Sequence, residues 1–422
     1  MSRIKLEKDI SCRDDFDPAS LPPAEALERI LSFISPVDGV EKIAIRDALN
    51  RVLADDVISR INVPTGTNSA MDGYAVNGDD IPADGVAELH VIGTAWAGKP
   101  LQESIKPGTC ARIMTGAILP RGADTVIIQE DVERDADNIR IDAGTRRGDN
   151  VRQAGEDIKE GDIVLHSGRR LNPADIGLIA SLGIGEVAVT RRLRVAFFST
   201  GDELRSIGEP LEEGCIYDSN RYTLHTMLRR LNADIIDMGV IRDERQAIED
   251  AFLSAAGCAD VVITSGGVSV GEADYVRETL NKVGDVAFWK VAMKPGRPLA
   301  FGTVRDAIFF GLPGNPVSVM VTFYQFVQPA LRAMSGDRQT QPVTLRATCM
   351  SKLKKRPGRI EYQRGILERD DSGRMVVHKT GAQGSGILTS MARANCFMIL
   401  GMDNAGVEEG QEVDVQPFYG LT

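Results

Sequence analysis

Three short segments combine the residue types that an anion cradle needs. They are Ser199-Thr200-Gly201-Asp202-Glu203, Thr264-Ser265-Gly266-Gly267-Val268-Ser269 and Gly311-Leu312-Pro313-Gly314-Asn315-Pro316. Small hydroxyl residues and glycines let backbone N–H groups converge on a negative ligand, and a following helix start adds partial positive charge. One such segment is ordinary turn chemistry, because glycine and serine populate most strand-to-helix turns. Three of them favour a phosphate-type ligand over turns alone. Charge of both signs accompanies the segments. Lys290, Lys294 and Arg297 follow the apolar run at Phe288-Trp289, while Asp202, Glu203, Asp218, Asp243, Glu272 and Asp274 lie in or beside the loops. The lysines suit an anion. The acids allow two readings, a solvated rim with helix caps or oxygen ligands for Mg²⁺, which bridges phosphate oxygens. At Asp243, which opens a helical stretch, capping is the simpler reading; at Glu203 and Asp274 both stand.

These loops require strands and helices to hold them. Between about 193 and 335 the chain alternates the two. Arg194-Val195-Ala196-Phe197-Phe198, Asp234-Ile235-Ile236, Asp260-Val261-Val262-Ile263 and Ala307-Ile308-Phe309-Phe310 read as buried strands. The stripes Leu224, Met227, Leu228, Leu231 and Ile248, Ala251, Phe252, Ala255 read as helices, and a long helix follows Pro316. Such alternation predicts a doubly wound, mostly parallel sheet covered on both faces, with ligands beyond the carboxyl ends of its strands. Earlier, Pro22-Pro23 open a helix with apolar positions Leu27, Ile30, Leu31 and Ile34, and Asn172-Pro173 start another that Gly183 stops. Short strands separated by Gly, Pro and Asp turns, among them His90-Val91-Ile92, Thr125–Ile128 and Asn138–Ile141, predict a small β domain. Short strands return near Val343–Arg346 and Met375–Val377 as a terminal β-barrel-like module. The expected organisation is a helical linker domain from 20–59 with 160–192, a β-rich domain at 60–159, an α/β domain at 193–341 and a β domain at 342–422.

Composition narrows the function. With 422 residues, 43% hydrophobic and 26% charged, the chain is globular and multidomain. Its net charge of −11 argues against general nucleic-acid binding, which needs a basic surface. Met1–Asp9 has no apolar export core and no run approaches bilayer length, so no membrane association and a cytoplasmic location are expected. The six cysteines form no C-x-x-C pair and the four histidines are scattered, which argues against disulfides and a zinc site. Gly183-Ile184-Gly185-Glu186-Val187-Ala188 imitates a dinucleotide fingerprint, but it follows a helix and precedes a strand, the reverse of the required order. No Walker A sequence is present.

The β domain carries its own small polar loops, Asn68-Ser69-Ala70-Met71-Asp72-Gly73-Tyr74, Met114-Thr115-Gly116-Ala117 and Arg152-Gln153-Ala154-Gly155-Glu156-Asp157. Each alone is satisfied by turn chemistry. Together with the strand-end loops they resemble the molybdopterin molybdenumtransferase family, which includes the C-terminal domain of gephyrin. The likeness runs from about residue 20 to the end. It rests on N-S-A-M-D-G-Y-A-V (68–76), R-I-M-T-G-A (112–117), G-E-D-I (155–158), S-T-G-D-E-L (199–204), I-Y-D-S-N-R (216–221), T-S-G-G-V-S-V-G-E-A-D-Y (264–275), F-W-K-V-A-M-K-P-G-R-P (288–298) and G-L-P-G-N-P-V-S (311–318), in that order.

The resemblance implies an L-shaped homodimer of four-domain subunits, with the linker domain in dimerisation. It implies insertion of molybdate into adenylylated molybdopterin with release of AMP, assisted by a divalent cation such as Mg²⁺, and a molybdopterin adenylyltransferase as pathway neighbour. Carried over by position, the catalytic residues are Asp72, Thr115, Arg152, Asp157, Glu203, Asp243, Asp274, Lys290 and Lys294. Glu203, Asp243 and Asp274 are the expected metal ligands. Ser199, Thr200, Gly201, Ser265, Gly266, Gly267 and Ser269 bind the pterin nucleotide, Pro313, Gly314, Asn315 and Pro316 shape a loop beside it, and Ser385 belongs to a functional serine segment. Two rivals stand against this. An adenylyltransferase-like enzyme would share the central α/β domain but would not need the Asp72 loop. A non-catalytic gephyrin-like scaffold would not need Lys290, Lys294, Asp274 and Asp72 together.

Overall fold

A computed structural model describes residues 20–267 and 275–418, so Ser269 and Asp274 lie outside the described residues. The chain forms two compact units. The larger comprises the chain up to Ala54, Gly168–Pro173 and the chain from Glu186 onward; the smaller comprises Asp55–Ser167 and Ala174–Gly185.

Runs of valine, isoleucine and phenylalanine with no charge inside them are buried on both faces, as at 195–198 and 261–263. The strand at 234–241 instead carries Asp237 and is only half-buried. Six strands make up the sheet of the larger unit. These are β1 (Arg194–Thr200), β2 (Asp234–Ile241), β3 (Val261–Ser265), β4 (Gly284–Lys290), β5 (Pro298–Val304) and β6 (Ala307–Leu312). Their order is β2-β1-β3-β6-β5-β4. β1 is parallel to β2 and β3, β3 is parallel to β6, and β5 is antiparallel to both its neighbours. The carboxyl ends of β2, β1, β3, β6 and β4 therefore share one edge. The chain leaves β1 for β2 on one side and returns to β3 on the other, so β1 and β3 flank the topological switch point.

Side-chain alternation divides the core between the two faces. Phe197 and Ile263 join one buried cluster, Ala196, Phe198 and Val262 the other. Helix α1 (Ser219–Arg230) buries Leu224, Met227 and Leu228 on the first face. Helix α2 (Arg245–Cys258) buries Ile248, Ala251, Phe252 and Ala255 on the second, where Phe252 meets Phe198 and Phe309 edge to face at 5.1 and 5.5 Å. Each ring pair adds about 0.5–1.5 kcal/mol beyond burial. Helix α3 (Tyr275–Val283) precedes β4. The long helix expected after Pro316 is present as Pro316–Thr322 and Gln328–Met334, joined by a widened π turn at Phe323–Val327. Pro329 explains the widening, because it has no N–H for the Gln325 carbonyl. The first helix, Pro23–Phe33, packs on the same core through Ala26 and Ile30, with Phe33 edge-on to Phe301.

Five strands, Leu345–Cys349, Ile360–Arg369, Met375–Lys379, Cys396–Leu400 and Glu412–Pro417, close into a barrel. The short strand Met293–Lys294 pairs in parallel with Ile360–Glu361, which fixes Lys294 to the barrel. The smaller unit is built on a six-stranded sheet in which Gly73–Val76 lies between Thr125–Ile128 and Thr109–Ile113. Gly183 adopts φ +73° after the helix Pro173–Ser181, so the fingerprint look-alike is a helix stop.

Candidate functional site

The strand-end loops meet at the switch point. Ser199 and Thr200 close β1 and Ser265 closes β3, all buried. Gly266 and Gly267 take φ +95° and +65°, and a Cβ on Gly266 would lie 2.8 Å from the Thr200 carbonyl oxygen. Only glycine permits that approach of the two loops. Asp218 caps α1, its Oδ1 accepting from the Arg221 N–H at 3.1 Å. Two residues on, Asn220 Nδ2 donates to Ser265 Oγ at 2.8 Å and to the Gly314 carbonyl at 2.6 Å. The loops after β3 and β6 are thus tied to the start of α1. Ser199 Oγ, Thr264 Oγ1, Asp218 Oδ2 and Asn220 Oδ1 are buried without a hydrogen-bond partner among the described residues. A settled core satisfies such atoms, so their clustering here fits a polar ligand.

Of the two lysines, Lys290 lies along the same edge, whereas Lys294 sits on the strand that joins the barrel. Lys290 ends β4 and is 4% exposed. Lys294 Nζ is half exposed and 3.5 Å from Glu361 Oε1, beside a cavity of about 310 Å³. Lys352, Lys354, Lys379 and Arg364 also line this cavity, and Glu361 is its one acidic lining residue. Arg364 is 1% exposed, and its Nε and Nη2 donate to Ser390 Oγ and the Gly384 carbonyl, both at 3.0 Å. Burial lowers its guanidinium to about 10, still cationic at neutral pH. The Ser385 carbonyl accepts from Val317 N–H at 3.1 Å, so Ser385 adjoins the helix that follows the Pro313–Pro316 loop. Not every lysine here is free for an anion. Lys355 Nζ donates to the carbonyls of Arg356, Met402 and Asn404, and Lys352 pairs with Glu408 at 2.7 Å.

Three carboxylates gather at the ends of β1 and β2. Asp243 N–H donates to Asp202 Oδ1 at 3.3 Å. Partial desolvation, then the charges of Asp202 and Glu203, raise the Asp243 carboxyl above the usual carboxylate range. The capping expected of Asp243 does not occur. Helix α2 begins at Arg245, Glu244 takes the cap position, and Asp243 sits one residue too early to reach the first-turn N–H groups. Among the described residues no three His, Cys, Asp or Glu side chains form a ready metal cage. Uncompensated carboxylates of this kind still suit Mg²⁺, which takes one or two carboxylates and fills its shell with water and phosphate oxygens.

The smaller unit holds a second cluster. Asp72 Oδ1 accepts from both Thr115 N–H and Thr115 Oγ1–H at 2.7 Å. These two bonds, with lesser help from Arg112, hold Asp72 below the usual carboxylate range. The turn forms because Ser69 Oγ donates to the Met71 carbonyl and Gly116 N–H to the Ser69 carbonyl. Arg152 stands opposite Asn68 in a two-residue ladder, and Asp157 follows at the Val63 carbonyl. Neither side chain is bonded to Asp72 among the described residues, and both are exposed.

Comparison with known proteins covers all of these features. Residues 21–183 match the MoeA N-terminal region (domain I and II), 196–333 a probable molybdopterin binding domain, and 346–418 the MoeA C-terminal region (domain IV). The chain is 45% identical to the molybdopterin molybdenumtransferase of Haemophilus influenzae across 90% of its own length and 94% of that protein. The chain belongs to the molybdopterin molybdenumtransferase family. Another member of the family, from Nostoc, is 36% identical over 91% of each chain. The fold agrees with that of the molybdopterin biosynthesis moeA protein of Pyrococcus horikoshii OT3, with a TM-score of 0.82, 31% identity and coverage of 94% of this chain and all of that one. As a molybdenumtransferase, the chain carries its loop cluster, its cradle and its cationic cavity in three separately matched regions. The cavity's Lys354, Lys379 and Arg364 escaped sequence reasoning. Lys352-Leu353-Lys354 was a visible signal of alternating charge on one strand, but only barrel closure brings Lys379 beside it.

Proposed function

We infer that the chain inserts molybdate into adenylylated molybdopterin and releases AMP, yielding the molybdenum cofactor. One observation carries this: an interlocked cradle with unsatisfied polar atoms shares a sheet edge with Lys290, and the chain leaving Lys290 leads directly into the short strand that ties Lys294 to the barrel. The substrates demand that combination. Molybdate is a dianion, and the adenylylated pterin carries a phosphoanhydride and a terminal phosphate. Ser199, Thr200, Gly201, Ser265, Gly266 and Gly267 hold the pterin nucleotide, with Pro313, Gly314, Asn315 and Pro316 bounding it. Ser385 closes that side, and Ser269, outside the described residues, is assigned to the same ligand by its motif alone. Lys290 and Lys294 act as point charges toward the oxyanions. Glu203 and Asp243, with Asp274, would hold Mg²⁺, which when bound neutralises phosphate oxygens. Asp72, held below the usual carboxylate range by Thr115, serves as a hydrogen-bond acceptor and negative charge, with Thr115, Arg152 and Asp157 in its cluster.

The reading includes a homodimer in the cytoplasm. Because its substrate is a nucleotide adduct of the pterin, a molybdopterin adenylyltransferase must act first. Purified protein incubated with adenylylated molybdopterin and Mg²⁺ should release AMP and form cofactor only when molybdate is added. AMP release at the same rate without molybdate would overturn the assignment.

A further inference from the structure

We propose that Asn220 is a positioning residue that sets the polarity of the Ser265 hydroxyl, making it a hydrogen-bond donor to a phosphate oxygen of the bound nucleotide. The proposal rests on the reading of the strand-end loops as the nucleotide cradle. Asn220 touches two partners at once, Ser265 Oγ at 2.8 Å and the Gly314 carbonyl at 2.6 Å. A carbonyl oxygen only accepts, so the face of the carboxamide toward Gly314 must be its NH₂ group; an oxygen there would be repelled. The second N–H of the same NH₂ then points to Ser265 Oγ, which must accept it. A hydroxyl that accepts has its own proton left to give. Among the described residues Ser265 Oγ–H meets no acceptor, although the side chain is only 2% exposed. Its position at the end of β3, next to Gly266 and Gly267, is where an anion would take that proton.

The Gly314 contact adds a second consequence. Asn220 holds the loop after β6 against the loop after β3, so its loss releases both the hydroxyl orientation and the loop spacing. Asn220 Oδ1 and Asp218 Oδ2, buried without partners among the described residues, lie at the start of the same helix. The carboxamide is therefore held from its NH₂ side, toward the two loops, and not by the helix it belongs to.

The test is a double-mutant cycle read as the dissociation constant of adenylylated molybdopterin, measured without molybdate. A hydrogen bond to a charged group is worth about a tenfold change or more. Asn220→Ala and Ser265→Ala should each weaken binding by about tenfold, and the double variant should be no weaker than the worse single one. The KM for molybdate should stay at the wild-type value. Asn220→Asp, nearly isosteric, should bind worse than Asn220→Ala, because its carboxylate captures the Ser265 proton and repels the Gly314 carbonyl. If Asn220→Ala fails to fold, as thermal unfolding would reveal, Asn220→Asp alone decides the matter, and wild-type affinity in it overturns the proposal. Weak binding by Ser265→Ala with wild-type affinity in Asn220→Ala also overturns it, leaving the cradle intact. Losses that multiply in the double variant do the same. Wild-type affinity in both single variants would instead sink the cradle reading itself.

Discussion

Asp72 and Asp243 are both exposed aspartates, and the surrounding chain moves their ionisation in opposite directions. Asp72 is held low by two donors from Thr115. Thr115→Val removes the hydroxyl donor and leaves the backbone one, so the Asp72 carboxyl should titrate closer to the ordinary value of 3.8. Carbon-13 NMR of the carboxyl would read the shift, and an unmoved titration would show that the hydroxyl contributes nothing. Asp243 is raised, so the folded chain holds its proton more tightly than the unfolded chain does. The resulting penalty is absent below 3.8 and grows to full size as pH rises through the raised value. Asp243→Asn should therefore be more stable than wild type to urea near neutral pH, with the gap closing as pH falls through the raised value toward 3.8. Mg²⁺ should stabilise the wild type more than this variant. A stability gap that is constant with pH, or equal stabilisation by Mg²⁺, would remove Asp243 from the cation site.

At the level of elements, the smaller unit depends on close contact between Gly73–Val76 and Thr125–Ile128, because a Cβ on Gly73 would collide with the Ile127 carbonyl. Gly73→Ala should cost about 1–3 kcal/mol in chemical denaturation, typical of overpacking; a variant as stable as wild type would refute the contact. Much of this architecture was legible in the residues. The stripes at Leu224–Leu228 and Ile248–Ala255 and the uncharged runs of β1, β3 and β6 announce their elements because burial selects apolar residues at 3.6 and at unbroken spacing. What local pattern does not encode stayed hidden. The barrel closes through Ile360–Arg369 pairing with Cys396–Leu400, a register of distant strands. The widened turn before Pro329 needs the helix to be continuous on both sides, and the start of α2 at Arg245 moved Asp243 out of capping reach. The site divides the same way. The small and hydroxyl residues of the strand-end loops stand in the local sequence, whereas the bond from Asn220 to Ser265 and the meeting of Lys354 with Lys379 exist only once the fold is formed.

For the whole molecule, a chain of net charge −11 concentrates cationic side chains around one barrel cavity. Long-range repulsion of anions by the remainder is screened at high salt, but so is attraction by exposed Lys294, Lys354 and Lys379. The nearby lysines dominate within a Debye length of about 8–10 Å. The KM for molybdate should therefore rise with ionic strength in the wild type and rise less in Lys294→Gln; a KM that falls with salt would show that the net charge governs instead. The chain has a mass of 45.7 kDa, and light scattering should report twice that value for the proposed homodimer.

The most direct measurement is a single turnover with enzyme in excess over adenylylated molybdopterin, in the presence of Mg²⁺ and molybdate. AMP and molybdenum cofactor, the latter assayed by reactivation of a cofactor-free molybdoenzyme, should appear together and in equal amounts. Omission of molybdate should abolish both. AMP formed without cofactor, or cofactor formed without AMP, would contradict the assignment of this chain as the enzyme that couples molybdate insertion to loss of the nucleotide.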